Sequence, residues 1–427
     1  MKELSATSGI PVRLARSGER IGLIKARMIG ARMASGKVLT FLDAHCEATI
    51  GWLEPLLDRI AENRTRVVCP VIDIIHEETF AFARSFELHW GGINWNLHFR
   101  WYPIGQKELS RIQKSNGESS DPFRTPIMAG GLFAIDREFF FEMGAYDEHM
   151  DIWGGENIEM SLRLWQCGSS LEIVPCSHVA HLFRKSSPYT FPRRNGVTGV
   201  LYTNLARVIH VWMDSDFRNF FYRINPVMKK TIYGDRTSSP DYLVVEDVDT
   251  VPERLVNISE RIQLKSKLGC KSFAWFLDNV WPEHFFPTRD RFFGQIRSEK
   301  HGECLQRPNA SGGPSNNHVG RLDLDRCAIE MYAPQCFVYT KQGTIMTDES
   351  VCLDVIGSGS SKTNVLLLAC SQQIRQKWKF DPKEKTLRHL QTSLCLEIDR
   401  KRHMILTKCS SKTSQRWSFI PFSWYEP

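Results

Sequence analysis

The sequence has no run of about 18 apolar residues, so nothing in it reads as a membrane-spanning helix. Its first residues, Met1-Lys2-Glu3-Leu4-Ser5, lack the apolar core of a secretory signal. Dense Lys/Arg blocks are missing too. The net charge of +7 is dispersed over 427 residues, which suits a small anionic ligand or a membrane surface and argues against a nucleic-acid partner. Apolar material is not scarce: 42% hydrophobic and 11% aromatic residues exclude a disordered chain, and a chain this long is expected to divide into two or three domains.

The cysteines give a signal contrary to the missing secretory leader. Six of the twelve fall in the last third as Cys304/Cys327, Cys352/Cys370 and Cys395/Cys409, a regular spacing that reads as three disulfides made in an oxidising compartment. The sequons Asn63-Arg64-Thr65, Asn257-Ile258-Ser259 and Asn309-Ala310-Ser311 point the same way. An amino-terminal anchor absent from this chain would reconcile the two.

The stretch that organises the chain is Val38-Leu39-Thr40-Phe41-Leu42-Asp43-Ala44-His45-Cys46-Glu47. Five apolar or β-branched residues suit a parallel strand covered on both faces, and the run breaks into a carboxylate, an imidazole and another carboxylate where such strands collect ligands. An Asp-x-His pair offers a hard oxygen beside a borderline nitrogen, a donor set for Mn²⁺ or Zn²⁺. The competing reading is a polar loop after a core strand.

Before it, Ile21, Ile24, Met28 and Ala31 mark a helix that Gly36 ends, with Arg20 and Arg27 seven apart on one side, placed either to face a diphosphate or to lie in solvent. After it, Trp52, Leu53, Leu56, Leu57 and Ile60 give a second amphipathic helix and Val67 to Ile72 another strand, the alternation of an α/β sheet. Trp90 to Trp95 and Phe99-Arg100-Trp101-Tyr102 are dense in aromatics, either packed core or an apolar groove for a peptide. Met128-Ala129-Gly130-Gly131 puts two glycines before an apolar strand, where a ligand or another backbone can approach. Trp153-Gly154-Gly155-Glu156-Asn157 precedes a helix through Met160, Leu162, Leu164 and Trp165. His181-Leu182-Phe183-Arg184 supplies a second imidazole, so that Asp43, His45 and His181 form a candidate metal triad.

In this order these motifs closely resemble the polypeptide N-acetylgalactosaminyltransferases, which begin mucin-type O-glycosylation. The resemblance covers nearly the whole chain. It implies an α/β, GT-A-type nucleotide-sugar transferase domain over residues 1–285, incomplete at its amino terminus, a linker at 286–291, and an all-β ricin-type β-trefoil lectin domain over 292–422. The tail fits the trefoil, with repeats near ~40 residues and Gln335-Cys336-Phe337, Gln376-Lys377-Trp378 and Gln415-Arg416-Trp417 as its Gln-x-Trp motifs, degenerate in the first copy.

Carried over residue by residue, the resemblance makes Asp43, His45 and His181 the Mn²⁺ ligands. It places Arg20 and Arg27 near UDP, Ala44, Ala129, Gly130 and Gly131 along the donor sugar, and Trp153, Glu156 and Asn157 around sugar and phosphate. Arg184 and Tyr189 fall on a loop that closes over UDP, while Phe99, Trp101 and Phe183 line the acceptor groove. The implied reaction is retaining transfer of GalNAc from UDP-GalNAc to Ser or Thr of a polypeptide or glycopeptide, in the Golgi lumen or at its membrane through an anchor this chain lacks. The alternative is an inactive homologue that binds glycans or peptides. Because the first uridine-holding strands of the family are absent, the chain as written is expected to transfer GalNAc weakly or not at all, and the chain with its upstream sequence restored to be Mn²⁺-dependent.

The resemblance also implies a Cys167–Cys270 pair, leaves Cys336 over, and puts the partner of Cys176 in the absent part. Ala180 replaces the Gly that usually precedes the last metal His, and the acidic segment Asp235 to Asp249 reads as a disordered insertion. In the lectin the sugar-binding Asp survives only as Asp354, with Gln306 and Glu397 at the other two positions and Arg375 where an Asn is usual.

Overall fold

The structure, a computed structural model, describes residues 9–85, 88–114, 120–184, 191, 196–234, 251–252, 255–308, 318–356 and 363–425. In chain order the first elements are α1 (Gly22–Met33), β1 (Val38–Phe41), β2 (Cys46–Ala48), α2 (Glu54–Glu62), β3 (Arg66–Ile75), β4 (Phe82–Ala83), β5 (His89–Ile93) and β6 (Phe99–Pro103). There follow α3 (Gln106–Lys114), β7 (Phe123–Arg124), β8 (Phe133–Asp136), α4 (Arg137–Glu142), α5 (Glu156–Gln166), β9 (Ser170–Leu182) and α6 (Gly196–Trp212). Four more helices, α7 (Ser215–Ile224), α8 (Pro226–Tyr233), α9 (Ile258–Lys267) and α10 (Phe273–Asn279), precede the first strand of the tail.

The chain divides into two compact units, one within residues 1–87, 117–212 and 251–272, the other within 88–116, 213–250 and 273–427. Residues 88–116 and 273–285, expected with the amino-terminal domain, thus fall in the same compact unit as the tail.

In the first unit a mixed sheet runs β1-β8-β3-β9-β2, with β4 beside β3 and β7 beside β9. The expectation of a parallel strand over Val38–Leu42 is corrected here: β1 pairs antiparallel with β8 and lies at the edge of that order. Its burial alternates, Leu39 and Phe41 inside and Thr40 outside, and Leu42 is exposed beyond its end, because a strand with one partner and one packed face needs only every second residue apolar. Among the described residues only β3 and β9 pair in parallel, and their residues are mostly buried accordingly. Helix α2 lays Leu56 and Ile60 on Val68, Ala134 and Val174 to form the core behind the sheet. Helix α5 is buried along its whole length, and the Cys167–Cys270 disulfide ties the chain at its end to the segment after α9.

The second unit carries the antiparallel hairpin β5–β6 and a sheet of twelve strands, β10 to β21, running from Phe292 to Pro421. Three repeats are visible in its polar contacts. The glutamines Gln335, Gln376 and Gln415 donate to Gln306, Asp354 and Glu397, each two residues after the first cysteine of a disulfide, at 3.1, 2.8 and 2.8 Å. In the second and third repeats the tryptophan indole also donates to the backbone, Trp378 to Leu353 and Trp417 to Leu396. Phe337 fills the equivalent core position in the first repeat without a donor. The disulfides are Cys304–Cys327, Cys352–Cys370 and Cys395–Cys409, and Cys336 is a free, buried thiol.

Candidate metal and donor site

The chain leaves the edge strand β1 at Phe41, crosses the end of the sheet and rejoins it as β2, where Cys46 stands opposite His181 of β9. This crossing puts Asp43 and His45 beside a residue more than a hundred positions away. One ligand atom from each of Asp43, His45 and His181 lies within 4.8 Å of the other two. Asp43 Oδ2 is 3.4 Å from His181 Nε2, and the two imidazole rings have centroids 4.4 Å apart.

The carboxylate is held from the other side by Arg27, whose guanidinium donates to Asp43 Oδ1 at 2.6 Å, to Gly131 O at 3.1 Å and to the carbonyl of Gly130, and reaches Tyr146 Oη at 3.0 Å. Burial pushes the Asp43 carboxyl up, but the hydrogen bond from His181 and the charge of Arg27 outweigh it and hold the group below its usual range. The pair thus stays charged. Burial and the neighbouring His181 push His45 down, which favours the neutral imidazole that a metal requires.

The donor set fits a divalent ion of intermediate hardness: one carboxylate oxygen and two imidazole nitrogens. His181 Nδ1 is a buried nitrogen with no hydrogen-bond partner among the described residues, a costly arrangement for a polar atom away from water.

Around the triad the backbone comes close. At Gly131 a Cβ would sit 2.8 Å from Asp43 Oδ2, so a side chain there would push on the ligand. Gly130 has φ +87°, and a Cβ would meet Asn157 Cβ at 2.5 Å. Helix α5 pins this loop: Asn157 Nδ2 donates to Met128 O at 3.0 Å, and Ser161 Oγ accepts from Met128 N at 3.0 Å. Glu156 is buried, accepts from Gly154 N at 2.7 Å, and is raised by burial.

The other expected residues divide. Trp153 is exposed at 46%, in a loop whose Asp151 and Gly154 carbonyls are both held by Asn204. Phe183 is 48% exposed with its ring 4.5 Å from that of His181, and Arg184 is exposed with its charge acting on His45. Ala44 is exposed and Ala129 half-buried. Arg20 corrects the reading of two arginines on one helix face: α1 starts at Gly22, so Arg20 precedes it and is exposed, whereas Arg27 is turned inward. Tyr189 and the segment Asp235 to Asp249 lie outside the described residues.

In the second unit the aromatic cluster splits. Trp90, Trp95 and Tyr102 are core residues, while Phe99 and Trp101 are half-buried and exposed and pack edge to face at 5.1 Å. Asp354 is fully buried. Its carboxylate accepts from Gln376 and from Val355 N, and the Arg375 guanidinium stands 3.4 Å away.

The sequence reading missed Tyr146 and Asn204, which belong to no motif; Asn204 could be suspected as a lone amide on the buried face of the apolar helix α6. It also missed the buried Asp73, which takes the Nδ1 of His178 at 2.8 Å.

Three family models match the chain: the ricin-type beta-trefoil lectin domain over residues 292–417, glycosyl transferase family 2 over 1–144, and the N-terminal domain of galactosyltransferase over 111–185. The chain is 40% identical to polypeptide N-acetylgalactosaminyltransferase 3 of Drosophila melanogaster, over 91% of its own length and 63% of that protein. It is 44% identical to polypeptide N-acetylgalactosaminyltransferase 13 of Homo sapiens, again over 91% of its own length and 63% of that protein. The chain thus spans less than two-thirds of the length of these relatives. Among solved structures it is similar to GalNAc-T7 with UDP, GalNAc and Mn²⁺, with a TM-score of 0.55 and 30% identity over 98% of this chain and 72% of that one. The architecture is accordingly a GT-A-type α/β domain followed by an all-β trefoil.

Proposed function

Since the chain belongs to the polypeptide N-acetylgalactosaminyltransferase family, we propose that it moves GalNAc from UDP-GalNAc to Ser or Thr of polypeptides, with retention at the sugar carbon and with Mn²⁺ as its metal. The observation that carries this reading is the convergence of Asp43 and His45 with His181, from two stretches more than a hundred residues apart, onto one small volume. In domain terms the proposal divides the chain at 1–285, 286–291 and 292–422. The site of action it implies is the Golgi lumen.

Mn²⁺ bound by the triad would act as a Lewis acid on the diphosphate of the leaving UDP. The rest is the work of this chain's own side chains. Arg27 fixes Asp43 as a charged acceptor. At 130 and 131 there is no room for a side chain against Asn157 and Asp43, so the reading gives this stretch to the donor sugar as bare backbone, with Asn157 and Ser161 holding Met128 just before it. Glu156 and Asn204 order the loop that presents Trp153. Arg184 puts a positive charge near His45, and the proposal assigns that charge to the negative charge developing on UDP as its bond breaks, so that preorganised electrostatics would do the greater part of the work and no strong base is needed. Phe99 and Trp101 in the second unit, and Phe183 in the first, are aromatic residues at least partly exposed that the proposal assigns to acceptor contact.

The test is transfer of labelled GalNAc to a Thr-rich peptide with Mn²⁺ and with EDTA. The expected result is transfer that, however weak, requires Mn²⁺ and is abolished by Asp43→Ala and by His181→Ala. Transfer that survives either substitution overturns the assignment.

A further inference from the structure

The β5–β6 hairpin has two faces with different duties. Side chains alternate along a strand, and cross-strand partners share a face. The pairs Trp90–Tyr102 and Gly92–Arg100 define one face, and Gly91–Trp101 and Ile93–Phe99 define the other. On the second face Trp101 is exposed beside Phe99. The first face meets a single carboxylate, that of Glu349 in the second trefoil repeat.

Glu349 is buried, with Oε1 accepting from Asn94 Nδ2 at 2.6 Å and from Arg100 Nε at 3.1 Å, and Oε2 accepting from Tyr102 Oη at 3.1 Å. Burial and the adjacent Glu349 charge push the Tyr102 phenol up, so it stays protonated and donates. Asn94 carries the contact onward. Its side-chain oxygen accepts from Asn96 N at 3.0 Å and from His98 N at 2.9 Å, which builds the turn joining the two strands. The carboxylate thus grips the hairpin at its turn and at two positions of β6. A slip of one residue would put Phe99 and Trp101 on the wrong face.

The backbone beneath Glu349 is itself unusual. Glu349 and Ser350 have φ +63° and +54°, two consecutive left-handed residues with side chains. Such strain persists where the surroundings over-determine it, and often marks a functional constraint. Next to them Asp348 is buried with Arg307, Oδ1 2.9 Å from Nε, so the elbow is anchored in the trefoil core.

We propose that Glu349 is a positioning residue for the acceptor: the trefoil, through this one carboxylate, sets the register and orientation of the aromatic pair Phe99 and Trp101 on the far face of the hairpin. The ligand class concerned is an extended peptide with apolar side chains beside its hydroxyl residue, which would pack on these aromatic rings. This rests on the reading that Phe99 and Trp101 contact the acceptor. It gives the trefoil a role in peptide binding that needs no sugar in its own repeats.

The experiment compares the full chain with Glu349→Ala, Glu349→Gln and Glu349→Ala/Tyr102→Phe, by hydrogen exchange and by kinetics with a Thr-rich peptide and with water as acceptor. Glu349→Ala is expected to speed exchange over residues 89–103 by about tenfold while strands β1, β3 and β8 keep their protection. It is expected to raise the peptide KM roughly tenfold and to leave hydrolysis of UDP-GalNAc unchanged. Glu349→Gln, which keeps the size and one acceptor, should fall between, and Tyr102→Phe should add little once Glu349 is gone. Unchanged exchange in the hairpin, an unchanged peptide KM, or equal losses in hydrolysis and transfer each overturn the proposal. A wild-type chain that neither hydrolyses UDP-GalNAc nor transfers GalNAc would instead bear on the transferase reading alone, and the exchange arm would still decide whether Glu349 holds the hairpin.

Discussion

Replacing Gly131 by alanine separates metal binding from stability. The backbone there does not have a positive φ, so alanine meets no conformational penalty; the effect comes from one contact, a Cβ 2.8 Å from Asp43 Oδ2. An ordinary carbon–oxygen contact is about 3.3 Å, so the carboxylate must retreat by roughly 0.5 Å. It has little room, because Oδ1 is held at 2.6 Å by Arg27 and Arg27 is in turn fixed by Gly131 O and Tyr146. A displacement of about 0.5 Å is the tolerance of a well-built site, and disturbing the support of a metal ligand typically weakens metal affinity about 10- to 100-fold. Gly130→Ala is the contrasting control. It combines φ +87° with a 2.5 Å approach to Asn157 Cβ, so it should cost about 2 kcal/mol or more of folding stability. Mn²⁺ titration by calorimetry, with thermal melts of both variants, tests the pair. The expectation is loss of Mn²⁺ affinity with little change in Tm for Gly131→Ala, and a lowered Tm for Gly130→Ala. Wild-type Mn²⁺ affinity in a folded Gly131→Ala protein would refute the geometry.

Four further outcomes follow from particular side chains. Asp147 accepts from Arg207 Nε at 2.7 Å and Nη2 at 3.0 Å with both side chains buried, so Asp147→Asn leaves a buried guanidinium without its charge partner and should cost about 3–5 kcal/mol in urea unfolding. The same carboxyl is pushed up by burial but held below its ordinary 3.8 by Arg207 and Arg261. Its contribution is therefore complete above that value and is lost as pH falls through its lower folded-state value, and stability curves of wild type and Asp147→Asn should converge in acid. Opening Cys167–Cys270 by a double serine substitution frees a loop with a sequence separation of 103 and should lower stability by up to about 5 kcal/mol, checked by melts under non-reducing conditions. Trp378→Phe removes the indole donor to Leu353 O while keeping an aromatic ring, as Phe337 does naturally; a loss of about 1–2 kcal/mol is expected, and none at all would show that this hydrogen bond is not a net stabiliser.

The sequence by itself determined the helices and strands around Asp43, because apolar spacing is a local property: Ile24, Met28 and Ala31 of α1 and Leu56 and Ile60 of α2 are buried as their periodicity requires. It also determined the trefoil disulfides, since paired cysteines 14 to 23 residues apart in repeated units leave few sensible alternatives. Sheet pairing was a different matter. An apolar run says that a strand is covered, not which strand lies beside it or in which direction, and so β1 proved antiparallel and at the edge. Arg20 and Arg27 looked equivalent at a spacing of seven until the start of α1 at Gly22 left one outside the helix and turned the other onto Asp43. The motif residues Asp43, His45 and His181 could be named from the sequence, but their convergence depends on the crossing from β1 to β2 beside β9. Tyr146, Asn204 and Glu349 carry no motif at all. Only the tertiary structure could give them roles, because a hydrogen bond between residues far apart in the chain is a consequence of packing, and packing leaves no periodic trace in the sequence that it joins.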